Sequence, residues 1–236
     1  MRNISLIIGG TSGIGLETAK YLLGKDYEVL ICGRRSINIK NINSLEVDIR
    51  SEKSVKSLFK TINNMNGEIN SLIYSTGVTS EKNSITEFDE KKFNDVISTN
   101  VTGILLLLKY FFPVLRKNKA KIAVINSIAG RNFSQLSGIE YTVSKAALSG
   151  LVRQLAIEWS KYGIFINSVF PSTTLTPMLK KNINNKAISK LIKNIPLQKL
   201  ADPFDTARAV EFLISNDNKY ITGAGIDVSG GQFLSA

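Results

Sequence analysis

Short aliphatic and β-branched runs alternate along the chain with longer stretches whose apolar positions recur at helical spacing. Runs at residues 4–8, 28–31, 45–47, 72–74, 121–126, 164–170 and 225–228 predict strands. Segments 13–24, 52–64, 91–116, 141–161 and 203–215 predict helices. Asp202 before Pro203 supplies an N-cap followed by proline at the first helical position. Strictly alternating strands and helices call for a parallel sheet covered on both faces, and several runs are apolar at nearly every position, as such burial demands. The expectation is an α/β fold, a doubly wound parallel sheet of about seven strands. No repeat, low-complexity linker or shift in composition interrupts the pattern, so residues 1–236 read as one domain. Only about a dozen residues join the second strand to the third, near the lower limit for a crossover helix. That helix is expected to be truncated or absent.

Composition narrows the chemistry. The 236 residues include no histidine and one cysteine, Cys32. A Ser-His-Asp triad, a Cys-His pair and any histidine metal site are therefore excluded, and no metal is expected. Acid–base work falls to Tyr, Lys, Asp, Glu or the cysteine. A lone cysteine forms no internal disulfide, and no signal-peptide pattern or unbroken apolar span stands out, so a cytoplasmic protein off the membrane is expected. The net charge of +11 leaves acidic partners open. Many lysines among Ile and Asn read more simply as solvated surface, and no nucleic-acid motif accompanies them.

The first strand runs into Gly9-Gly10-Thr11-Ser12-Gly13-Ile14-Gly15 and then a helix. A sharp turn, a backbone that approaches a diphosphate closely, and a helix N-terminus facing that anion all favour glycine. A plain strand-to-helix turn is the alternative, but the position after the first strand of an alternating chain strengthens the nucleotide reading. The second strand ends Ile31-Cys32-Gly33-Arg34-Arg35. A carboxylate there would accept from a ribose 2′-hydroxyl and select NAD; arginines pair instead with a 2′-phosphate. Arg34 and Arg35 thus favour NADP(H), with plain surface charge as the alternative. Asp48-Ile49 are placed to flank the adenine, though Asp48 reads almost as well as a surface residue.

Tyr141 and Lys145 lie at i and i+4, one turn apart on a helix face. A phenol titrates near 10, and lowering that by about three units takes about 4 kcal/mol of preference for the phenolate. A nearby ammonium and a cationic nicotinamide ring would supply it where water is restricted. Alone, Tyr-x-x-x-Lys also fits an amphipathic surface helix. The preceding strand, however, places Ser127 at a carboxyl end, where open α/β sheets bind ligands. Asn100 falls within the long 91–116 segment, where a buried amide needs partners.

Together these residues resemble the short-chain dehydrogenase/reductase family, from Ile4 to Gly231. The resemblance adds Asn100-Val101-Thr102-Gly103, Asn167-Ser168-Val169-Phe170-Pro171, Thr176-Pro177-Met178, Tyr220-Ile221-Thr222-Gly223 and Ser229-Gly230-Gly231. It is nearest in pattern to β-ketoacyl carrier-protein reductases. It implies a Rossmann-type fold and NADP(H)-dependent interconversion of a ketone and a secondary alcohol. Tyr141 would be the proton donor, Lys145 would hold the nicotinamide ribose and acidify the tyrosine, Ser127 would orient the carbonyl, and Asn100 would order a water. Gly9, Thr11, Ser12, Gly13, Ile14, Gly15, Arg34, Arg35, Asp48, Ile49, Gly77, Tyr141, Lys145, Pro171 and Thr176 would contact the dinucleotide. A cyclic-diol or sugar dehydrogenase, or a nucleotide-sensing member without chemistry, are the alternatives. The chain departs from the family at Ile8, at Tyr74-Ser75-Thr76-Gly77 in place of Asn-Asn-Ala-Gly, and at Ser172. The Tyr74 departure removes an amide that usually ties strands together.

Residues 172–201 contain six lysines and no acidic residue, and Leu179, Ile183, Ala187 and Leu191 recur at helical spacing. This reads as an amphipathic lid whose basic face suits a small anionic substrate, a carrier-protein-linked one, or simply solvent. The resemblance also implies a dimer or tetramer built through the two long helices and the last strand. Residues 104–108 with Tyr110, Phe111 and Phe112, and Leu148, Leu151, Leu155 and Trp159, are more apolar than one buried face requires, and a homotetramer is expected.

Overall fold

The inner strand runs are apolar at nearly every position because those strands are buried on both faces, whereas the two outermost strands, at 43–46 and 225–228, are only partly buried. The computed structural model describes residues 2–65, 67–82, 84–182 and 185–234. Its strands are β1 (Arg2–Ile8), β2 (Glu28–Gly33), β3 (Asn43–Glu46), β4 (Gly67–Tyr74), β5 (Lys121–Ile125), β6 (Phe165–Pro171) and β7 (Gly225–Val228). They form one seven-stranded sheet in the order β3-β2-β1-β4-β5-β6-β7, parallel throughout. This is the Rossmann-type doubly wound sheet expected from the pattern. The helices are α1 (Gly13–Leu23), α2 (Glu52–Asn63), α3 (Glu90–Ile97), α4 (Gly103–Lys117), α5 (Ile139–Ser160), α6 (Pro177–Asn182), α7 (Asn185–Lys193) and α8 (Pro203–Ile214).

Successive side chains of a strand point to opposite faces, and the two cores divide accordingly. Leu6 and Ile8 join Leu72, Tyr74, Ile122, Val124 and Ile166 against α2, α4 and α5. Ile7 joins Ile31, Ile73, Ile125 and Val169 against α1 and α8. Asp202 caps α8 as expected: its carboxylate accepts from Phe204 N at 2.8 Å, and Asp205 accepts from Asp202 N at 3.0 Å. Such a cap contributes about 1 kcal/mol. No helix joins β2 to β3, in keeping with the shortness of that connection.

The 91–116 segment is not one regular helix. Residues Ser98–Thr102 form a π-helical turn between α3 and α4. There Gly103 N donates to Ser98 O, five residues back, rather than to Thr99 O. Apolar periodicity survives one extra residue per turn, so the sequence pattern gave no sign of the break. The stretch Glu90–Lys117 is long and apolar enough to cross a membrane by length and composition. Its inner residues Ile104, Leu107, Leu108, Phe111 and Leu115 are instead buried on the sheet.

In the expected lid, Leu179 and Leu191 are buried, Ala187 is half-buried and Ile183 lies outside the described residues. Lys190 and Lys193 are exposed, as an amphipathic reading requires.

Candidate active site

β1 pairs with β2 on one side and with β4 on the other, so the connections leaving β1 and β4 diverge. Such a switch point opens a crevice at the carboxyl ends of the strands. A cleft of about 1250 Å³ occupies it. Its wall includes Gly9, Thr11, Ser12, Gly13, Ile14, Arg34, Arg35, Asp48, Ile49, Gly77, Tyr141, Lys145 and Thr176, all singled out in the sequence. Gly15, Asn100, Ser127 and Pro171 are not part of that wall; Ser127 meets it through its hydrogen bond to Tyr141.

The glycine turn is shaped by close approach. Gly9 has φ 85°, and a Cβ on it would lie 2.7 Å from the Ser75 carbonyl carbon and 2.8 Å from Thr76 N. A Cβ on Gly15 would collide with Gly9 O. Gly9 N and Gly10 N donate to Cys32 O at 2.8 and 3.1 Å, tying the turn to the end of β2. Ser12 stands at the N-cap of α1 without a side-chain capping bond. The first-turn N–H groups are left to face an anion in the cleft, and a diphosphate fits this cradle.

Arg34 and Arg35 are exposed at the far end of the cleft, and among the described residues no carboxylate lies in ion-pair contact with either. Asp48 is held by a neighbour the sequence reading missed: Arg50 Nη2 donates to its Oδ2 at 2.7 Å and Nε to its Oδ1 at 3.0 Å. The Arg50 guanidinium keeps the Asp48 carboxyl below its usual range. The Asp-x-Arg spacing was the available signal. Ile49 packs on Gly103, where a Cβ would stand 2.6 Å from Ile49 Cδ1.

At the other end, β5 delivers Ser127 into a 3-10 turn, where its Oγ accepts from Ala129 N at 3.1 Å. Gly130 lets this turn pack on α5, since a Cβ there would come within 2.7 Å of Lys145 O. Tyr141 and Lys145 stand on the first turns of α5, with Lys145 Nζ 5.7 Å from the Tyr141 ring centre. Lys145 is 4% exposed, and its Nζ donates to Ile125 O at 3.1 Å. Burial brings its pKa down to about 8. Burial also pushes the Tyr141 phenol up, opposed by a hydrogen bond with Ser127. The acid phenol is expected with a cationic nicotinamide ring beside it, and the chain alone supplies no such ring.

Asn100 is fully buried and satisfied by protein. Its Oδ1 accepts from Val78 N at 2.8 Å, and its Nδ2 donates to Val78 O and to Ser144 Oγ, each at 2.9 Å. It thus ties the segment after β4 to α5. Tyr74 does not leave a gap where the family has an amide: its hydroxyl donates to Thr99 O at 3.0 Å. The sequence reading also missed Glu140, buried beside Tyr141 in the cleft wall, which accepts from Ser80 Oγ at 2.7 Å. Its place immediately before the tyrosine was the only clue. Among the described residues no group of three or more His, Cys, Asp or Glu side chains could hold a metal.

Comparison with known proteins agrees with this geometry. Residues 9–232 match the family model described as Enoyl-(Acyl carrier protein) reductase. The 3-oxoacyl-[acyl-carrier-protein] reductase of Vibrio harveyi is 29% identical over 98% of this chain and 97% of its own length. A solved structure of ElxO with NADP bound has a TM-score of 0.90 at 30% identity, over 98% of this chain and 99% of that one. The 3-ketoacyl-(acyl-carrier-protein) reductase of Brucella melitensis, complexed with NADH, shares the fold at 23% identity and a TM-score of 0.90, over 98% of each chain. With its parallel sheet, glycine turn and Ser-Tyr-Lys constellation accounted for, the chain belongs to the short-chain dehydrogenase/reductase family of oxidoreductases.

Proposed function

We propose that this protein interconverts a ketone and a secondary alcohol with NADP(H). One observation carries the reading: one cleft has a glycine cradle and two exposed arginines at one end and Tyr141 and Lys145 at the other, with Ser127 hydrogen-bonded to Tyr141. The dinucleotide, when bound, supplies or accepts the hydride. Tyr141 Oη holds the proton given to the carbonyl oxygen, and Ser127 Oγ donates to that oxygen and orients it. Lys145 contributes positive charge beside the phenol, and the cationic ring of the oxidised cofactor adds to it. Asn100 keeps the segment holding Gly77 against Lys145; in this reading its Oδ1 also orders a water. Gly15 and Pro171 shape the backbone that meets the cofactor, and the Thr176 hydroxyl meets its nicotinamide end. A sensor without chemistry would have no use for the Ser-Tyr-Lys set.

The finer reading is a carrier-protein-linked 3-oxoacyl substrate, supported by the reductase relatives and by exposed Lys190 and Lys193 on α7. A polyhydroxylated substrate, a sugar or cyclic diol, is the second reading. It is favoured by the Glu140 carboxylate beside Tyr141, an acceptor for a substrate hydroxyl. The test is oxidation of NADPH with acyl-thioesters and simple ketones, and reduction of NADP with sugars and cyclic diols. Tyr141→Phe is expected to lower turnover by about 100- to 10,000-fold with dinucleotide affinity unchanged. Full turnover in that variant would remove Tyr141 as the proton donor. The reading extends to a cytoplasmic homotetramer formed through α4, α5 and β7, supported by exposed apolar residues on the two long helices, Leu105, Val143 and Ile157.

A further inference from the structure

The π turn before α4 has a cost and a support. Regular winding would deliver Gly103 N to Thr99 O, but Gly103 N donates to Ser98 O instead. A backbone acceptor in a protein interior needs a donor. Tyr74, the last residue of β4, supplies one: it is fully buried, and its hydroxyl donates to Thr99 O at 3.0 Å. The next residue, Asn100, is the one the turn aims inward. Among the described residues its side chain bonds to Val78 and Ser144, and both it and Lys145 Nζ stand beside Gly77. A Cβ on Gly77 would lie 3.6 Å from Asn100 Oδ1 and 3.5 Å from Lys145 Nζ.

We infer that Tyr74 is a positioning residue: its hydroxyl holds the Ser98–Thr102 turn in the register that places Asn100 between the segment after β4 and the start of α5. The phenol is not itself part of the cleft wall; it holds the carbonyl of Thr99, which is, and the next residue, Asn100, carries the effect to Val78. Its kinetic consequence rests on the oxidoreductase reading; its structural consequence does not.

The test is Tyr74→Phe, which deletes one buried oxygen and keeps the ring. Amide exchange at Val78, whose N–H is bonded by Asn100 Oδ1, should accelerate by about tenfold, while exchange in β1 and β5 stays within about twofold of the parent. Turnover should fall about tenfold, short of the roughly 100-fold that a displacement of about 1 Å costs, with dinucleotide KM unchanged. In an Asn100→Ala background the same substitution should change turnover by less than about twofold, because the two residues act in series. Unchanged Val78 exchange overturns the inference, as does a general rise in exchange or an effect on turnover fully additive with Asn100→Ala. A parent protein that turns over no carbonyl or alcohol would instead count against the proposed function, and Val78 exchange would still decide the role of Tyr74.

Discussion

Replacing Lys145 with methionine should make the protein more stable as it makes it inactive. Lys145 is buried, with one hydrogen bond from Nζ to Ile125 O at 3.1 Å. Its pKa drops from 10.5 to about 8 because burial disfavours the cation. At about 1.4 kcal/mol per pH unit, holding that charge in the folded state near pH 7 costs about 3 kcal/mol. Methionine has similar length and no charge, so the cost disappears. Against this stands the loss of the donor to Ile125 O, about 1 kcal/mol. The net gain is about 2 kcal/mol, which for a chain of this size raises Tm by about 4–8 °C.

The pH dependence makes the argument specific. Between the folded value of about 8 and the unfolded 10.5, the unfolded chain binds more protons than the folded one. Stability contributed by this site therefore rises with pH through that window, and the cost is greatest below it. The advantage of Lys145→Met should be largest near pH 6.5 and shrink by about 2 kcal/mol by pH 9.5. Calorimetry or circular-dichroism melts of both proteins without added dinucleotide, at several pH values across that span, would measure it. A variant less stable than the parent near neutral pH, or a gain that does not vary with pH, would refute the view that Lys145 is held as a strained cation.

Two further outcomes follow from the same geometry. On the proposed reading, Arg34→Asp should shift the ratio of NADPH to NADH affinity toward NADH by about tenfold or more, since a guanidinium able to pair with a 2′-phosphate is exchanged for a carboxylate that repels it; an unchanged ratio would show that Arg34 is only surface charge. Light scattering of the purified protein should give four times the monomer mass, and a monomer would exclude the assembly through α4, α5 and β7.

The parts of this molecule that could be read from its sequence are those where one residue type has one physical use. Gly9 and Gly15 mark backbone contacts too tight for a side chain, and Gly13 a positive φ that glycine adopts without strain. Tyr141 and Lys145 could be placed by helical spacing alone, and Ser127 by its position after an apolar strand. The rest depended on distant partners. The π turn left the apolar period of residues 91–116 intact and is set by Tyr74, more than 20 residues earlier in the chain. Glu140 and Arg50 gain meaning only from Ser80 and Asp48 beside them. Spacing reports the charge beside Tyr141 but not the burial of both groups, which in the chain without a dinucleotide pushes the phenol up and the ammonium down.

The crevice between β1 and β4 also bears on how the chain is made. Ile4 lies beside Glu28 on one side but beside Ile69 on the other, so the central strand is completed only by a segment synthesised much later. Ser127, Tyr141 and Lys145 emerge later still. Pairings this distant in sequence form slowly, after the local ones. No nascent fragment ending before residue 176 holds the whole wall of the crevice, so a molecule that occupies it end to end reports on a chain made at least that far.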